Sequence, residues 1–365
     1  MEKERKESKK RPLWKKIVKG VFCVIGVVLA LAIVLVVVLT VTEYKPDAEE
    51  ALEVQGSGSE TMQVGDDLTV LTWNIGYGCL GETADFFMDG GSGVKTADKE
   101  LTLENMEGIN AEISAIDPDI AMFQEVDVSA LRSNWVDEAD SIVESMGNVS
   151  NTFAYNYRSL FIPYPIPPIG TVNAGILTTS KVDFTESTRL QLPNPFTWPY
   201  RVGNLKRCLS VNRIDLADTD KELVIVNLHL EAYDSGEGKA QQTAMLLEVL
   251  QEEVDAGNYV IAAGDFNQIF SNVESDFPIN EGMWEPGVIN ASDFGDDFNL
   301  LMDSDVPSCR SLDQPYAGAD QDTFQYYIID GYIVSNNIEV SSVETQDLGF
   351  VNSYHNPVVL KARLK

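Results

Sequence analysis

The chain has 365 residues, 44% of them hydrophobic, with 26 Lys and Arg against 57 Asp and Glu and only two histidines. That is enough apolar material for one large core or two small ones. A formal net charge of −31 repels polyanions and disfavours nucleic acid gripped by basic patches, unless a bound divalent cation reverses the sign locally.

The first twenty residues oppose the overall charge, with nine Lys and Arg against three acids, and the run VFCVIGVVLALAIVLVVVLTV then fills 21–41 without a charged residue. Twenty-one apolar or small residues suffice to span a bilayer core of roughly 30 Å, at about 1.5 Å of rise per helical residue. The basic flank is expected to stay on the cytoplasmic side. A cleaved signal peptide is the competing reading, but the run exceeds the usual apolar length of about 7–15 residues and no small-x-small site closes it. The expectation is an uncleaved signal-anchor in the cell membrane, crossing once: a basic cytoplasmic tail over 1–20, a transmembrane helix over 21–41 and the rest outside. Beyond residue 20 the charge becomes −37, from 17 basic and 54 acidic residues.

Residues 42–66 are polar and acidic without apolar periodicity, which predicts a flexible linker. About 25 such residues average roughly 25–30 Å end to end and reach at most about 80 Å, so a globular part over 67–365 is free to face the membrane or stand away from it. Of the four cysteines, Cys23 falls in the span, and Cys79, Cys208 and Cys309 are far apart with no CxxC spacing. No metal or redox motif emerges, and the disulfide state is left open.

After the linker, strand and helix signals alternate. LTVLTWN at 68–74 is a short apolar run rich in strand formers. Met106, Ile109, Ile113 and Ile116 recur at spacings of three and four, a helix that ends near Pro118. DIAMFQE at 119–125 and ELVIVNLHL at 222–230 predict strands, Ala240, Ala244, Leu247 and Leu250 a second helix, and YVIAAGDFN at 259–267, YIIDGYIVS at 327–335 and NPVVLKARL at 356–364 further strands. This is one α/β domain without a short internal repeat.

Asn74, Glu125, His229, Asp265, Asn267 and His355 all fall at or just beyond the ends of these apolar runs. Ligands of α/β sheets bind at that rim. Each residue alone is explained as well by turn chemistry or an exposed strand end.

Six stretches in order, TWNIG, FQEVD, NLHLEAY, GDFN, IIDGYIVS and SYHNPV, resemble the motifs of the endonuclease/exonuclease/phosphatase superfamily, the deoxyribonuclease I-like fold, from about residue 68 onward. The resemblance implies a four-layer α/β/β/α sandwich and hydrolysis of phosphate esters with Mg²⁺, Mn²⁺ or another divalent metal. It implies metal ligation by Glu125 and Asn74, whose hard oxygens suit such an ion. Asp265 is similar to the acid that positions or deprotonates the attacking water, and Asn267 to an amide that holds a phosphate oxygen. His229 and His355 resemble the pair that stabilises charge on the phosphate, with Asp330 hydrogen-bonded to His355. The family commonly has Asp just before the last histidine; Tyr354 stands there, which puts a second metal ligand in doubt.

Two loops, LFIPYPIPPIG at 160–170 and LPNPFTWPY at 192–200, are rich in proline and aromatic residues. They are expected either to pack on each other or to form apolar lips for a lipid or an apolar substrate part. Arg158, Arg201, Lys206 and Arg207 flank them, with Arg158 and Arg207 as candidate substrate-lining residues. MDGGSGVK at 88–95 lacks the ending of a phosphate loop and is expected to be a mobile loop near the mouth of the site. The expected function is a membrane-tethered extracellular phosphodiesterase acting on a lipid or small phosphodiester, with sphingomyelinases among its relatives. An extracellular nuclease on the same site and a non-catalytic binding protein on the same fold are the alternatives. Oligomeric state and pathway are not legible.

Overall fold

The structure, a computed structural model, describes residues 13–234 and 236–365, so the first twelve residues of the expected basic tail lie outside it. The chain divides into two compact units, Met1–Glu43 and Tyr44–Lys365. In the first, helix α1 (Leu13–Val41) contains the expected span and begins eight residues before it. It is long and apolar enough to cross a membrane, with none of its residues buried in the structure.

The second unit runs β1 (Glu49–Ala51), β2 (Gln55–Gly56), β3 (Asp67–Asn74), α2 (Lys99–Ile116), β4 (Ile120–Asp127), α3 (Glu138–Met146), β5 (Ser150–Ile162), β6 (Gly170–Ser180), β7 (Glu186–Gln191) and β8 (Cys208–Asp215). It continues with β9 (Glu222–His229), α4 (Glu237–Asp255), β10 (Tyr259–Asp265), β11 (Gln268–Phe270), β12 (Gly287–Ile289), β13 (Phe298–Leu301), β14 (Cys309–Arg310), β15 (Tyr326–Tyr327), β16 (Asp330–Ser335), β17 (Ile338–Thr345) and β18 (Val358–Leu364). Side-chain caps start the first two of its helices: Asp98 accepts from the Leu101 amide and Asp137 from the Asp140 amide.

Two seven-stranded mixed sheets result, ordered β1-β7-β8-β9-β10-β16-β13 and β17-β18-β3-β4-β6-β5-β2. Their facing sides bury one core that includes Val70, Met122, Ile225, Ile261, Val334 and Leu360. On the outer side of the first sheet α4 packs Leu246 and Leu250 against Val224, Val226 and Val260. On the outer side of the second, α2 packs Met106, Ile109 and Ile113 against Leu71, Trp73 and Phe123. The expected four-layer sandwich is therefore what forms, each strand alternating between the central core and a helix-covered face.

One expectation is corrected. Residues 44–66 are not a free linker: Glu49–Ala51 pair with Thr188–Leu190, Gln55 and Gly56 pair with Asn151 and Ser150, and Met62 is buried in the central core. These short polar segments join the sheets through main-chain hydrogen bonds, which leave no hydrophobic pattern to detect. The helix expected from Ala240, Ala244, Leu247 and Leu250 forms as α4, with Leu250 buried, Leu247 half-buried against the core and the two alanines exposed.

Strand directions place the rim residues together. The parallel pair β3 and β4 ends near Asn74 and Glu125, and the parallel pair β9 and β10 ends at His229 and Asp265. Because β16 runs antiparallel to β10 and β18 antiparallel to β3, their beginnings arrive at the same edge, bringing Asp330 and the segment just after His355.

Candidate active site

Register within the first sheet sets the centre of the site, since Asp265 lies opposite His229 on one side and Asp330 on the other. Its Oδ2 accepts from the Asn74 side-chain amide at 3.0 Å and stands 3.4 Å from His229 Nε2 and 3.7 Å from His355 Nε2. Its Oδ1 accepts from the Asn267 backbone N–H at 2.9 Å. One buried carboxylate thus faces both histidines, with Asn74 reaching it from the opposite sheet.

A second carboxylate holds one of those rings. His355 Nδ1 lies 2.8 Å from Asp330 Oδ2, and the same oxygen accepts from Ser308 Oγ at 2.7 Å. Among the described residues His355 Nε2 has no hydrogen-bond partner, and it lies 3.7 Å from Asp265 Oδ2. The turn is fixed by Trp73, whose indole donates to the His355 carbonyl, and by Ser353, whose hydroxyl donates to the Asn74 carbonyl.

Electrostatics separate these groups. Burial, and then the negative charge of Asp330, raise the Asp265 pKa from 3.8 to about 7, although His355 and the bonds from Asn267 and Asn74 oppose the shift. Burial disfavours charge on both histidines. For His355, Asp330 and the adjacent Cys309 outweigh it, so its pKa stands well above the ordinary value. His229 has no such carboxylate, and burial with the charges of Arg207 and His355 holds it well below.

Glu125 sits beside this centre at a positive φ of 53°, where the register between β4 and β6 shifts across Phe123 and Val126. Its Oε1 accepts from the Tyr354 hydroxyl at 3.0 Å. Burial, and next the charge of Glu125, push the Tyr354 phenol well above its usual range, so it is a neutral donor where the family has a carboxylate. Asn74 Oδ1 accepts from the Gly76 N–H at 3.0 Å, which leaves its second lone pair.

The donor set suits a hard divalent cation. Glu125 is half-buried and lines a cavity of about 220 Å³, so a carboxylate oxygen is available beside Asn74. Asp265, Asp330 and His355 form a second group whose ligand atoms lie within 4.8 Å of one another. That group is fully buried and its Asp330 oxygen already bonds His355 and Ser308, a poor setting for an ion that retains several waters.

Of the other expected residues, Asn267 is in place at the rim with one amide hydrogen given to the Leu230 carbonyl, leaving one for a ligand. Arg207 lines the cavity next to His229, donating to the His229 carbonyl and to Glu231. Arg158 does not line it: it is exposed, and its guanidinium rests over the rings of Tyr155 and Tyr44. The loop at 88–95 does reach the mouth, where Asp89 accepts from the Tyr233 hydroxyl at 2.9 Å. Burial raises the Asp89 pKa to about 6. The two apolar loops do not bury each other. Ile166 is 92% and Tyr200 75% exposed, while Ile169 and Phe196 turn into the cavity. Sequence reasoning missed Ser308, which lies on no strand-end signal, and did not single out Asp89 or Tyr233 within the stretches 88–95 and NLHLEAY that contain them. All four cysteines are free.

The sequence model described as the endonuclease/exonuclease/phosphatase family matches residues 71–324. Among solved structures, an endonuclease/exonuclease/phosphatase from Beutenbergia cavernae DSM 12333 is similar at 19% identity and a TM-score of 0.55, covering 82% of this chain and 72% of that one. A family protein from Bacteroides thetaiotaomicron is similar at 14% identity and a TM-score of 0.52, covering 83% and 97%. These likenesses are of fold. Comparison with curated proteins gives no match.

Proposed function

The chain belongs to the endonuclease/exonuclease/phosphatase family, phosphoesterases that use divalent metals, and we propose that it is a membrane-anchored, Mg²⁺-dependent phosphodiesterase acting outside the cell on a lipid or small phosphodiester. The observation that carries this is the Asp265 carboxylate, held by Asn74 and Asn267 and facing both imidazoles, with His355 backed by Asp330.

Asp265, whose pKa is raised by burial to about 7, accepts a proton from the attacking water. The charged His355 donates from its free Nε2 to a phosphate oxygen, and Asp330 keeps it charged. The neutral His229 and the remaining Asn267 N–H add hydrogen bonds to the same group. Glu125 and Asn74 would hold the Mg²⁺ or Mn²⁺ ion, which when bound withdraws negative charge from the phosphate.

What supports a lipid or small molecule over nucleic acid is charge and surface. The chain is strongly acidic, whereas stretches 158–170 and 192–207 contain no Asp or Glu and expose Leu160, Tyr164, Ile166, Trp198 and Tyr200. Such residues suit a bilayer surface. The test uses the full-length chain. Turnover of bis(4-nitrophenyl) phosphate with Mg²⁺, abolished by a chelator, is expected, with vesicles of sphingomyelin or phospholipid cleaved faster than plasmid DNA at equal enzyme. Preference for DNA replaces the substrate class with a nuclease, and no turnover with any divalent metal leaves a binding protein.

A further inference from the structure

The turn that follows β3 is strained. Gly76, Tyr77 and Gly78 all have positive φ, of 55°, 41° and 59°. Glycine adopts this conformation readily, but a side chain as large as tyrosine rarely does. Neighbours hold the turn in place: the Gly76 N–H donates to Asn74 Oδ1, and the Gly78 carbonyl accepts from the Asn105 side-chain amide. A Cβ on Gly76 would crowd Tyr354 Cδ1 at 3.1 Å, and one on Gly78 would crowd Met106 Sδ at the same distance.

What the strained turn secures is the placement of one ring. Tyr77 is 2% exposed and borders the cavity of about 220 Å³ that Glu125 and His229 also line. The Arg132 guanidinium lies over this ring, 3.8 Å from its centroid, and is itself fixed by hydrogen bonds to Asp127 at 2.8 and 3.0 Å. The same guanidinium lies 5.7 Å from the ring of Tyr157, which borders the same cavity. The two phenols differ in how their hydroxyls are used. That of Tyr157 donates to the Gly203 carbonyl at 3.1 Å, whereas that of Tyr77 is buried with no partner among the described residues. Burial holds the Tyr77 phenol well above its usual range; Arg132 opposes the shift and the charge of Glu125 adds to it, so the hydroxyl is a neutral donor.

A buried hydroxyl without an acceptor destabilises the free protein, and the strained backbone that holds it there destabilises it further. A bound group that supplies the acceptor accounts for both. We propose that Tyr77 is a further substrate-contacting residue, whose hydroxyl donates a hydrogen bond to a non-bridging phosphate oxygen on the side of the site formed by His229 and Glu125. This rests on the phosphodiesterase reading and adds to it a donor that none of the strand-end residues supplies.

The test compares the two phenols. Full-length Tyr77→Phe and Tyr157→Phe proteins in lipid nanodiscs keep both rings beside Arg132 and lose one hydroxyl each. Binding of inorganic phosphate is measured by calorimetry with Mg²⁺, turnover on bis(4-nitrophenyl) phosphate, and Tm without ligand. Tyr77→Phe is expected to weaken phosphate binding and lower kcat/KM by about tenfold each, with Tm unchanged or higher because an unpaired buried hydroxyl has been removed. Tyr157→Phe is expected to do the reverse, lowering Tm while changing phosphate affinity by less than about twofold. An unchanged phosphate affinity in Tyr77→Phe, or a fall in its Tm, overturns the assignment even where the wild type hydrolyses the diester normally. So does a wild type that binds no phosphate. Weaker phosphate binding in Tyr77→Phe, beside a wild type that turns over no ester, retains the assignment and removes the hydrolase reading.

Discussion

His229 and His355 offer the same side chain to the same carboxylate oxygen from two differently built regions. The His355 region supplies Asp330 at 2.8 Å and fixes that carboxylate with Ser308, so the ring favours its charged form. The His229 region buries the ring beside Arg207, with no partner for Nδ1 among the described residues, so the ring favours its neutral form. Residue type sets what each ring can do, and the neighbouring charge decides which form is present.

The largest expected effect comes from removing the group both regions face. Asp265→Asn is expected to lower kcat by on the order of a thousandfold with little change in binding, measured on a soluble diester. Next is Asp330→Asn, which takes the counter-charge from His355 alone. A loss of roughly a hundredfold is expected, with the His355 pKa falling toward that of His229 in NMR titration. If the two rings still titrate far apart, Asp330 is not what separates them. Arg207→Gln acts on the other region, raising the His229 pKa while changing kcat by less than about tenfold.

The smallest effect is on stability. Asp265 has a folded pKa of about 7 against 3.8, so between those values the folded protein binds a proton that the unfolded chain has released. Stability from this group is therefore greatest below pH 3.8 and is lost as pH rises toward about 7. His355, also raised, loses stability in the same direction above its ordinary pKa. His229, lowered, gains it as pH rises toward the ordinary value. The Tm of Asp265→Asn is expected to fall less than that of wild type over this interval. An identical pH profile means that Asp265 is not buried as a shared acid.

Much of the fold was legible because its strands are short uninterrupted apolar runs bounded by polar residues. The runs at 68–74 and 222–230 became β3 and β9 to within a residue at each end. Where hydrophobic pattern carries no signal, prediction failed. β1 and β2 contribute main chain rather than apolar side chains, so the expected linker of about 25 residues is folded from Tyr44 onward. Arg158 read as substrate-lining because it adjoins an apolar loop, but its side chain leaves the strand on the side of Tyr44 and Tyr155. Tyr233 and Asp89 lie 144 positions apart, and only the approach of their loops makes them a pair.

The sequence by itself determined the apolar N-terminal helix, the α/β alternation and the arrival of Asn74, Glu125, His229, Asp265 and His355 at strand ends, because those follow from the lengths of local apolar runs. Only the tertiary structure decided which of these touch, which histidine favours its charged form and how Tyr354 is used. Those depend on Coulomb and hydrogen-bond terms that act over a few ångströms, and the bond from Asn74 to Asp265 spans 191 positions of chain to reach 3.0 Å.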